Sequence, residues 1–232
     1  MCGRFTLTIE IAELQKELGL SFPLLTDWNP RYNIAPSQQV SVVLDGKTRS
    51  VASMRWGLIP FWVKANAGPS SALINARAES IGIKPSFRES YKKRRCLVLA
   101  DGFYEWKHVE GKKSPSIPFY FCRVDRKPFF FAGIWDSWKP ANAAEENKGF
   151  AIITCEANGV VKPIHERMPV MLDAESGWMW LDDTLTSIEL DGLLSPYPED
   201  KLDGIPVNRV VYDVNRDDES CIRPQGDQLI LY

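Results

Sequence analysis

The feature that most constrains the fold of this chain is a series of short runs of β-branched and aromatic residues with turn-forming residues at their boundaries. Short runs of this composition are typical of strands. They do not alternate regularly with helical patterns, so a doubly wound parallel sheet is not expected. The predicted strands cover residues 40–44, 49–55, 96–100, 119–124, 128–134, 150–154 and 169–172.

Helical patterns are few and short. A helix is predicted over residues 8–18, because Leu14 and Leu18 share one face, Thr8 can cap the start and Gly19 can end the helix. The pattern as a whole predicts an α+β fold with a mainly antiparallel, curved or barrel-like sheet flanked by short helices. The other predicted segments are helices over residues 85–94 and 184–194, a loop over residues 23–36 and a mobile loop over residues 141–148.

Length and composition limit the kinds of protein that this chain can be. At about 150 residues per domain, 232 residues make one large domain or two small ones, and no shift in composition marks a boundary. A single domain over residues 1–232 is therefore expected. No apolar run approaches the roughly 18 residues of a membrane span, and the amino terminus lacks the pattern of a signal peptide.

The cysteines and histidines argue against a metal site. The five cysteines are widely spaced without a CxxC pair, and only two histidines occur, so neither a disulfide framework nor a zinc site is expected. A reducing compartment follows: cytoplasmic, nucleoid-associated in a bacterium and nuclear in a eukaryote. No metal or cofactor is predicted.

Charge is unevenly distributed, although the net charge is only −2. Residues 84–113 carry nine basic and four acidic side chains, a balance of +5, whereas residues 173–219 carry thirteen acidic and three basic side chains, a balance of −10. This asymmetry allows one positive face on a nearly neutral protein. It fits two solvated charge runs at opposite ends of the domain equally well.

Cys2 has chemistry that depends on its position. Removal of Met1 would leave an α-amine and a thiol on adjacent carbons, with ordinary pKa values of about 8 and 8.5. The amine can condense with an aldehyde to an imine, and the thiol can then close a five-membered thiazolidine. The alternative is a buried or incidental cysteine. If residues 2–7 form a strand, Cys2, Arg4 and Thr6 share one face.

Further polar residues fall in patterns that suit a reaction on an anion. In residues 73–79, a strand would place Asn75, Arg77 and Glu79 on one face. Glu105 is surrounded by aromatic residues, whose low polarity would raise its pKa toward that of a general acid or base. The alternatives are that Asn75 is a turn amide, that Arg77 belongs to a surface ion pair and that Glu105 is exposed to solvent.

Aromatic residues and one histidine complete the set of candidates. Trp106 would face away from Glu105, where it stacks on a base or fills the core. His165 is a candidate proton shuttle, although a lone histidine is more often structural. Residues 29–36 and 56–62 form aromatic, proline-containing loops, suited to stacking on bases or to close packing.

Several motifs, in this order along the chain, together resemble the SRAP (SOS-response-associated peptidase) family. The resemblance runs from Cys2 to at least Pro224, and six motifs in order are far more specific than any one of them. The motifs are Met1-Cys2-Gly3-Arg4-Phe5, Tyr32-Asn33-Ile34-Ala35-Pro36, Trp56-Gly57 through Trp62, Ile74-Asn75-Ala76-Arg77-Ala78-Glu79, Gly102-Phe103-Tyr104-Glu105-Trp106 and His165-Glu166-Arg167-Met168-Pro169.

The resemblance implies a sensor of abasic sites in single-stranded DNA that captures the sugar aldehyde as a thiazolidine crosslink. It implies that Cys2 is the nucleophile, Asn75 positions the amine and the sugar, Glu105 transfers protons, and His165 protonates or orients the sugar. The expected partner is single-stranded DNA containing abasic sites, bound by a monomer, with no membrane association. The expected DNA-binding residues are Arg4, Pro36, Arg77, Trp106, Thr154 and Arg167.

Two other functions remain open from the sequence. The first is a cysteine-type peptidase that uses Cys2, Glu105 and His165, including on its own Met1–Cys2 bond. The second is a module that binds single-stranded nucleic acid without a covalent step, in which Cys2 is incidental.

Overall fold

The structure is a computed structural model that describes residues 2–20, 28–47, 49, 51–64, 72–108, 116–140 and 145–226. Within these residues the fold is α+β, as predicted. The helices are α1 (Ile11–Leu18), α2 (Arg88–Lys93), α3 (Ala174–Trp180) and α4 (Ser187–Gly192). The strands are β1 (Phe5–Leu7), β2 (Arg31–Ile34), β3 (Gln39–Val43), β4 (Val51–Trp56), β5 (Asn75–Arg77), β6 (Arg95–Ala100), β7 (Gly102–Lys107), β8 (Ile117–Arg123), β9 (Phe129–Trp138), β10 (Asn147–Glu156), β11 (Arg167–Pro169), β12 (Met171–Leu172) and β13 (Leu202–Pro206).

The strands form two sheets. The first sheet has the order β13-β8-β7-β1-β2, and the second has the order β11-β10-β4-β3-β6-β9-β12, with β5 beside β10. Strand β10 pairs with both β4 and β9, so the second sheet closes on itself. Only the pairings of β10 with β4 and β5 are parallel among the described strands. The predicted mainly antiparallel, barrel-like sheet is therefore confirmed.

Aromatic side chains fill the space between the two sheets. Phe5 of β1 contacts Trp56 and Phe131 edge to face, with ring centroids 5.1 and 5.5 Å apart. Trp56 also stacks on Phe150, at 6.4 Å. All four rings are fully buried. The first strand of the chain is thus packed into the core, and this burial holds the amino terminus against the second sheet.

The buried carboxylate of Asp101 holds the end of β1. Its Oδ2 accepts hydrogen bonds from the Thr8 amide, the Thr8 hydroxyl (2.6 Å) and the Ile9 amide (3.0 Å), and its Oδ1 accepts one from the Thr6 hydroxyl. Burial raises the pKa of Asp101, and these donors oppose the increase. Thr8 was predicted to cap the first helix. It binds Asp101 instead, and α1 begins after Glu10.

The element boundaries differ from the sequence predictions in several places. The loop predicted over residues 23–36 contains strand β2, whose backbone amides at Tyr32 and Asn33 bind the carboxylate of Asp217. Helices α2 and α4 are shorter than predicted, and α3 and β13 were not predicted. Asn147 and Lys148 of the predicted mobile loop belong to β10, and residues 141–144 lie outside the described residues. No described helix is long and apolar enough to cross a membrane.

We predict that Asp101→Ala lowers the free energy of unfolding by about 2–4 kcal/mol, because it leaves buried donors at Thr6, Thr8 and Ile9 without an acceptor. Urea denaturation measures the loss. The control is Asp125→Ala, which removes a half-exposed carboxylate paired with Arg123 and is expected to cost less than about 1 kcal/mol. Equal losses in the two variants would contradict this role for Asp101.

Candidate active site

Cys2 lies three residues before the start of β1, where the two sheets meet. Cys2 is fully buried, and its carbonyl accepts a 2.8 Å hydrogen bond from Nδ2 of Asn75 on β5. Because β1 belongs to the first sheet and β5 to the second, this bond joins the sheets at the amino terminus. Oδ1 of Asn75 is buried and has no hydrogen-bond partner among the described residues. An acceptor of this kind is available to a donor beside Cys2.

Glu105 of β7 lies close enough to Cys2 for its charge to act on the thiol. Its carboxylate is buried, and burial raises its pKa to about 7. Burial also raises the pKa of the Cys2 thiol, and the nearby Glu105 charge raises it further. The thiol therefore holds its proton at neutral pH more firmly than a cysteine with the ordinary pKa does. Glu105 is the adjacent group whose pKa suits removal of a proton near pH 7.

His165 is held in one ring orientation by the backbone. Its Nδ1 lies 2.9 Å from the amide nitrogen and 3.1 Å from the carbonyl oxygen of Arg167, so the backbone of Arg167 holds this side of the ring. Burial lowers the pKa of His165, so the ring is neutral at pH 7. In this state the ring can donate a hydrogen bond or accept a proton, and it can return a proton that it has accepted.

Strand register brings three of the predicted DNA-binding residues together. Thr154 of β10 pairs with Arg77 on one side and Pro169 on the other, and Arg167 lies two residues before Pro169. Arg167 donates from both terminal nitrogens to Glu79, at 2.5 and 3.0 Å, and also to the Thr154 carbonyl at 2.5 Å. Arg77 is exposed and forms no ion pair within the described part of the chain.

The predicted strand over residues 73–79 is shorter than expected. It covers only Asn75–Arg77, and Ala78–Ser80 form a 3-10 turn. Glu79 therefore leaves the strand and becomes the partner of Arg167. No local pattern signals this pairing, because the two residues are far apart in the chain.

Arg4 and Trp106 contact residues outside the group formed by Thr154, Arg77 and Arg167. NH1 of Arg4 donates to Oδ1 of Asn33 (2.7 Å) and to the Val211 carbonyl (2.8 Å), so Arg4 contacts the carboxyl-terminal segment. Trp106 faces away from Glu105 and contacts Tyr212, at 6.2 Å between ring centroids. The polar face predicted for Cys2, Arg4 and Thr6 is thus largely enclosed. Pro36 lies in the turn between β2 and β3.

An aromatic loop of residues 57–64 presents two rings to solvent. Phe61 and Trp62 are 59% and 54% exposed. The backbone is nevertheless fixed, because the buried Asp136 accepts from the Phe61 amide at 3.1 Å and Trp138 Nε1 donates to the Val63 carbonyl at 2.9 Å. The aromatic loop is therefore a rigid surface suited to stacking on flat groups.

Comparisons with known proteins agree on one family. The family model described as "SOS response associated peptidase (SRAP)" matches residues 1–214. The abasic site processing protein YoqW of Bacillus subtilis is 37% identical over 216 residues, which cover 91% of this chain and 94% of the relative. The abasic site processing protein HMCES of Xenopus tropicalis is 29% identical over 262 residues, which cover 96% of this chain and 78% of the relative. A crystal structure of a Bacteroides thetaiotaomicron protein matches with a TM-score of 0.86 and 27% identity, covering 97% of this chain and 100% of that chain.

We predict that the carboxyl group of Glu105 makes stability depend on pH. Its pKa is about 7 in the folded protein against an ordinary 4.5, so the folded state holds this proton to higher pH than the unfolded chain. Stability is therefore full below about pH 4.5 and falls by up to about 3 kcal/mol as the pH rises through 7.

Urea denaturation between pH 4.5 and 8 measures this effect, and Glu105→Gln is expected to lack this part of the decrease. Glu13→Gln, at an exposed carboxylate, is the control and should follow the wild-type curve. Parallel curves for wild type and Glu105→Gln would contradict the raised pKa.

Proposed function

This chain belongs to the SOS response associated peptidase family, and we propose that, like its relatives named abasic site processing proteins, it acts on abasic sites in DNA. We propose further that it captures the lesion covalently, as a monomer on single-stranded DNA, through the α-amine and thiol of Cys2 after removal of Met1. The single observation that carries this proposal is the hydrogen bond from Asn75 to the Cys2 carbonyl, which fixes residue 2 beside a proton-transfer group.

The proposed reaction needs no oxidant and no cofactor. The ring-opened deoxyribose presents an aldehyde at C1′, and the α-amine of Cys2 condenses with it to an imine, releasing one water. The thiol then adds across the C=N bond: sulfur bonds to C1′, and the thiol proton ends on nitrogen. The product is a five-membered thiazolidine. Only an amino-terminal cysteine carries both groups on adjacent carbons.

Asn75 is proposed to orient the reacting amine. Its Nδ2 donates to the carbonyl of Cys2, which holds the Asn75 amide beside residue 2. The buried Oδ1 of Asn75 has no partner among the described residues, and an α-amine or a sugar hydroxyl would supply the missing donor. The arrangement favours one rotamer of residue 2 for attack on the aldehyde.

Glu105 and His165 are proposed to move the protons. Imine formation removes a proton from the amine and adds one to the departing oxygen, and the later closure removes one from the thiol. A carboxyl group with a pKa of about 7 is able to give and accept protons at neutral pH. The neutral His165 ring is proposed to orient a sugar oxygen by a hydrogen bond, or to protonate it after accepting a proton.

The DNA backbone is proposed to bind beside Thr154. Arg77 is exposed for a phosphate, and Arg167 is held in place by Glu79, with Arg4, Pro36 and Trp106 contributing further along the surface. Exposed rings at Phe61 and Trp62 favour a single strand, because stacking requires bases that are not already stacked in a duplex.

The general peptidase alternative is less well supported. A cysteine nucleophile for peptides needs an accessible thiolate, whereas the Cys2 thiol is fully buried and its pKa is raised. The family description nevertheless contains the word peptidase, which fits removal of Met1 by the protein itself.

We predict that Cys2→Ala forms no heat-stable adduct with abasic single-stranded DNA while its affinity for the strand stays within about twofold of wild type. The phosphate contacts come from arginines, so they survive the change. Cys2→Ser is expected to give only a reversible imine, because its hydroxyl replaces the thiol that closes the ring. Intact-mass spectrometry after heating measures the adduct.

A chain with one extra residue between Met1 and Cys2 is the matched control, because it keeps the thiol but moves the α-amine. It is expected to form no thiazolidine. A matched duplex should react more slowly, since unstacking costs a few kcal/mol. A heat-stable adduct with Cys2→Ala would overturn the mechanism, and cleavage of unrelated peptides by the wild type would favour the peptidase.

We predict that Glu105→Gln slows adduct formation by about 10²–10⁴-fold. Release of the adduct into competitor abasic DNA is expected to slow as well, because a catalyst lowers the barrier in both directions. Time courses of both steps measure the effect. Slow formation with wild-type release would assign the proton transfer to His165 instead.

A further inference from the structure

The side chain of Asn33 on β2 joins the start of the chain to the segment of residues 211–217. Asn33 is fully buried. Its Oδ1 accepts a 2.7 Å hydrogen bond from NH1 of Arg4. Its Nδ2 donates to three backbone carbonyls of the 211–217 segment, those of Val211 (3.2 Å), Asp213 (2.9 Å) and Arg216 (2.7 Å). One buried amide therefore connects Arg4 to a segment about two hundred residues away.

The three carbonyls determine which way the Asn33 amide points. A carbonyl oxygen only accepts hydrogen bonds, so the amide nitrogen must face the 211–217 segment and the amide oxygen must face away from it. A flipped amide would place Oδ1 against three acceptors and would leave NH1 of Arg4 opposite a second donor. The segment therefore fixes the position of the oxygen that holds Arg4.

The guanidinium of Arg4 is held on one side only. Besides Asn33, NH1 donates to the Val211 carbonyl at 2.8 Å, whereas Nε and NH2 donate to no described residue and are not enclosed. Both acceptors are neutral oxygens, and Arg4 forms no ion pair within the described ranges. Arg4 therefore keeps its positive charge and two of its nitrogens for an anion.

Arg4 is close to the residue that is proposed to react. It lies two residues after Cys2, so their Cα atoms are at most about 7 Å apart. The Arg4 carbonyl accepts a 3.0 Å hydrogen bond from the Tyr104 amide, which anchors this part of the backbone to β7 independently of the Arg4 side chain. Loss of the Asn33 amide therefore releases the guanidinium and leaves the backbone beside Cys2 in place.

We propose that Asn33 is a positioning residue for DNA binding: backed by the 211–217 segment, it directs Nε and NH2 of Arg4 toward a phosphate of the strand next to the lesion. The inference rests on the proposed function, which takes Arg4 as a DNA-binding residue. The segment carries two aspartates and one arginine, so its charge does not favour DNA. Its contribution to binding is to hold Arg4 through Asn33.

The test is a double-mutant cycle of Asn33→Ala and Arg4→Ala, assayed on an undamaged fluorescent single-stranded oligonucleotide. Loss of the Arg4 contact should reduce the slope of log affinity against log salt by about 0.7, which is about fivefold in affinity at 0.1 M salt relative to 1 M. Asn33→Ala is expected to lose about threefold to fivefold in the wild-type background. In the Arg4→Ala background it should lose less than about 1.5-fold, because the group that it positions is gone.

Two further variants separate positioning from stability. Asn33→Ser is measured beside the alanine variant, because it leaves room for a water that satisfies the three carbonyls and keeps the protein folded; it should lose the same affinity. Tyr104→Phe is the matched control, since it removes the 2.7 Å hydrogen bond to the Tyr32 carbonyl on the same strand without a change in charge. It should keep the wild-type salt slope. Urea denaturation confirms that each variant is folded under the assay conditions.

Adduct formation with abasic DNA gives a second readout. The Asn33 variants should need about threefold to fivefold more protein for the half-maximal rate and keep the saturating rate within about twofold. The reason is that the side chain binds Arg4 and the 211–217 segment, and neither Asn75 nor Glu105 within the described residues. An equal affinity loss in both backgrounds, an equal loss in Tyr104→Phe, unchanged binding, or a lower saturating rate alone would overturn the proposal.

The undamaged strand separates this inference from the proposed function, because binding to it requires no adduct. Coupling between Asn33 and Arg4 without any wild-type adduct would support the positioning role and contradict covalent capture. Adduct formation without coupling would do the reverse, and a wild type that does not bind the strand would contradict both.

Discussion

The buried carboxylate of Asp101 is the constraint on which the rest of the structure depends. Chain termini are usually poorly ordered, yet the proposed chemistry requires the first residues to be held within hydrogen-bond distance of other groups. Asp101 binds the end of β1 through Thr6, Thr8 and Ile9, and the Phe5 ring is packed between the sheets. The amino terminus is thereby fixed from one side, and Asn75 fixes it from the other.

Fixing the terminus in the interior has consequences for reactivity. The burial that positions Cys2 also raises the pKa of its thiol, so a base must accompany it. The same low polarity raises the pKa of Glu105 to about 7, where a carboxyl group can act as that base. One physical cause, desolvation, therefore raises both pKa values: it suppresses unspecific thiol chemistry, and in the proposed reaction it prepares the group that activates the thiol.

Much of this organisation could be predicted from the sequence, and the failures have physical reasons. The strand runs and the fold class follow from local composition, and the raised pKa of Glu105 follows from its aromatic neighbours. Strand β2 was missed because its amides are stabilised by Asp217, nearly two hundred residues away. The pairing of Glu79 with Arg167 and the capture of Thr8 by Asp101 were missed for the same reason, since long-range partners leave no local pattern.

The most direct measurement of the central claim is the location of the sugar remnant on the protein. The adduct formed with abasic single-stranded DNA is digested with nuclease and trypsin, and tandem mass spectrometry assigns the modified residue. The account predicts that the remnant lies on the peptide Cys2-Gly3-Arg4, that Met1 is absent from it, and that both the nitrogen and the sulfur of Cys2 are blocked. A remnant on a lysine, on another cysteine, or on a peptide that retains Met1 would contradict it.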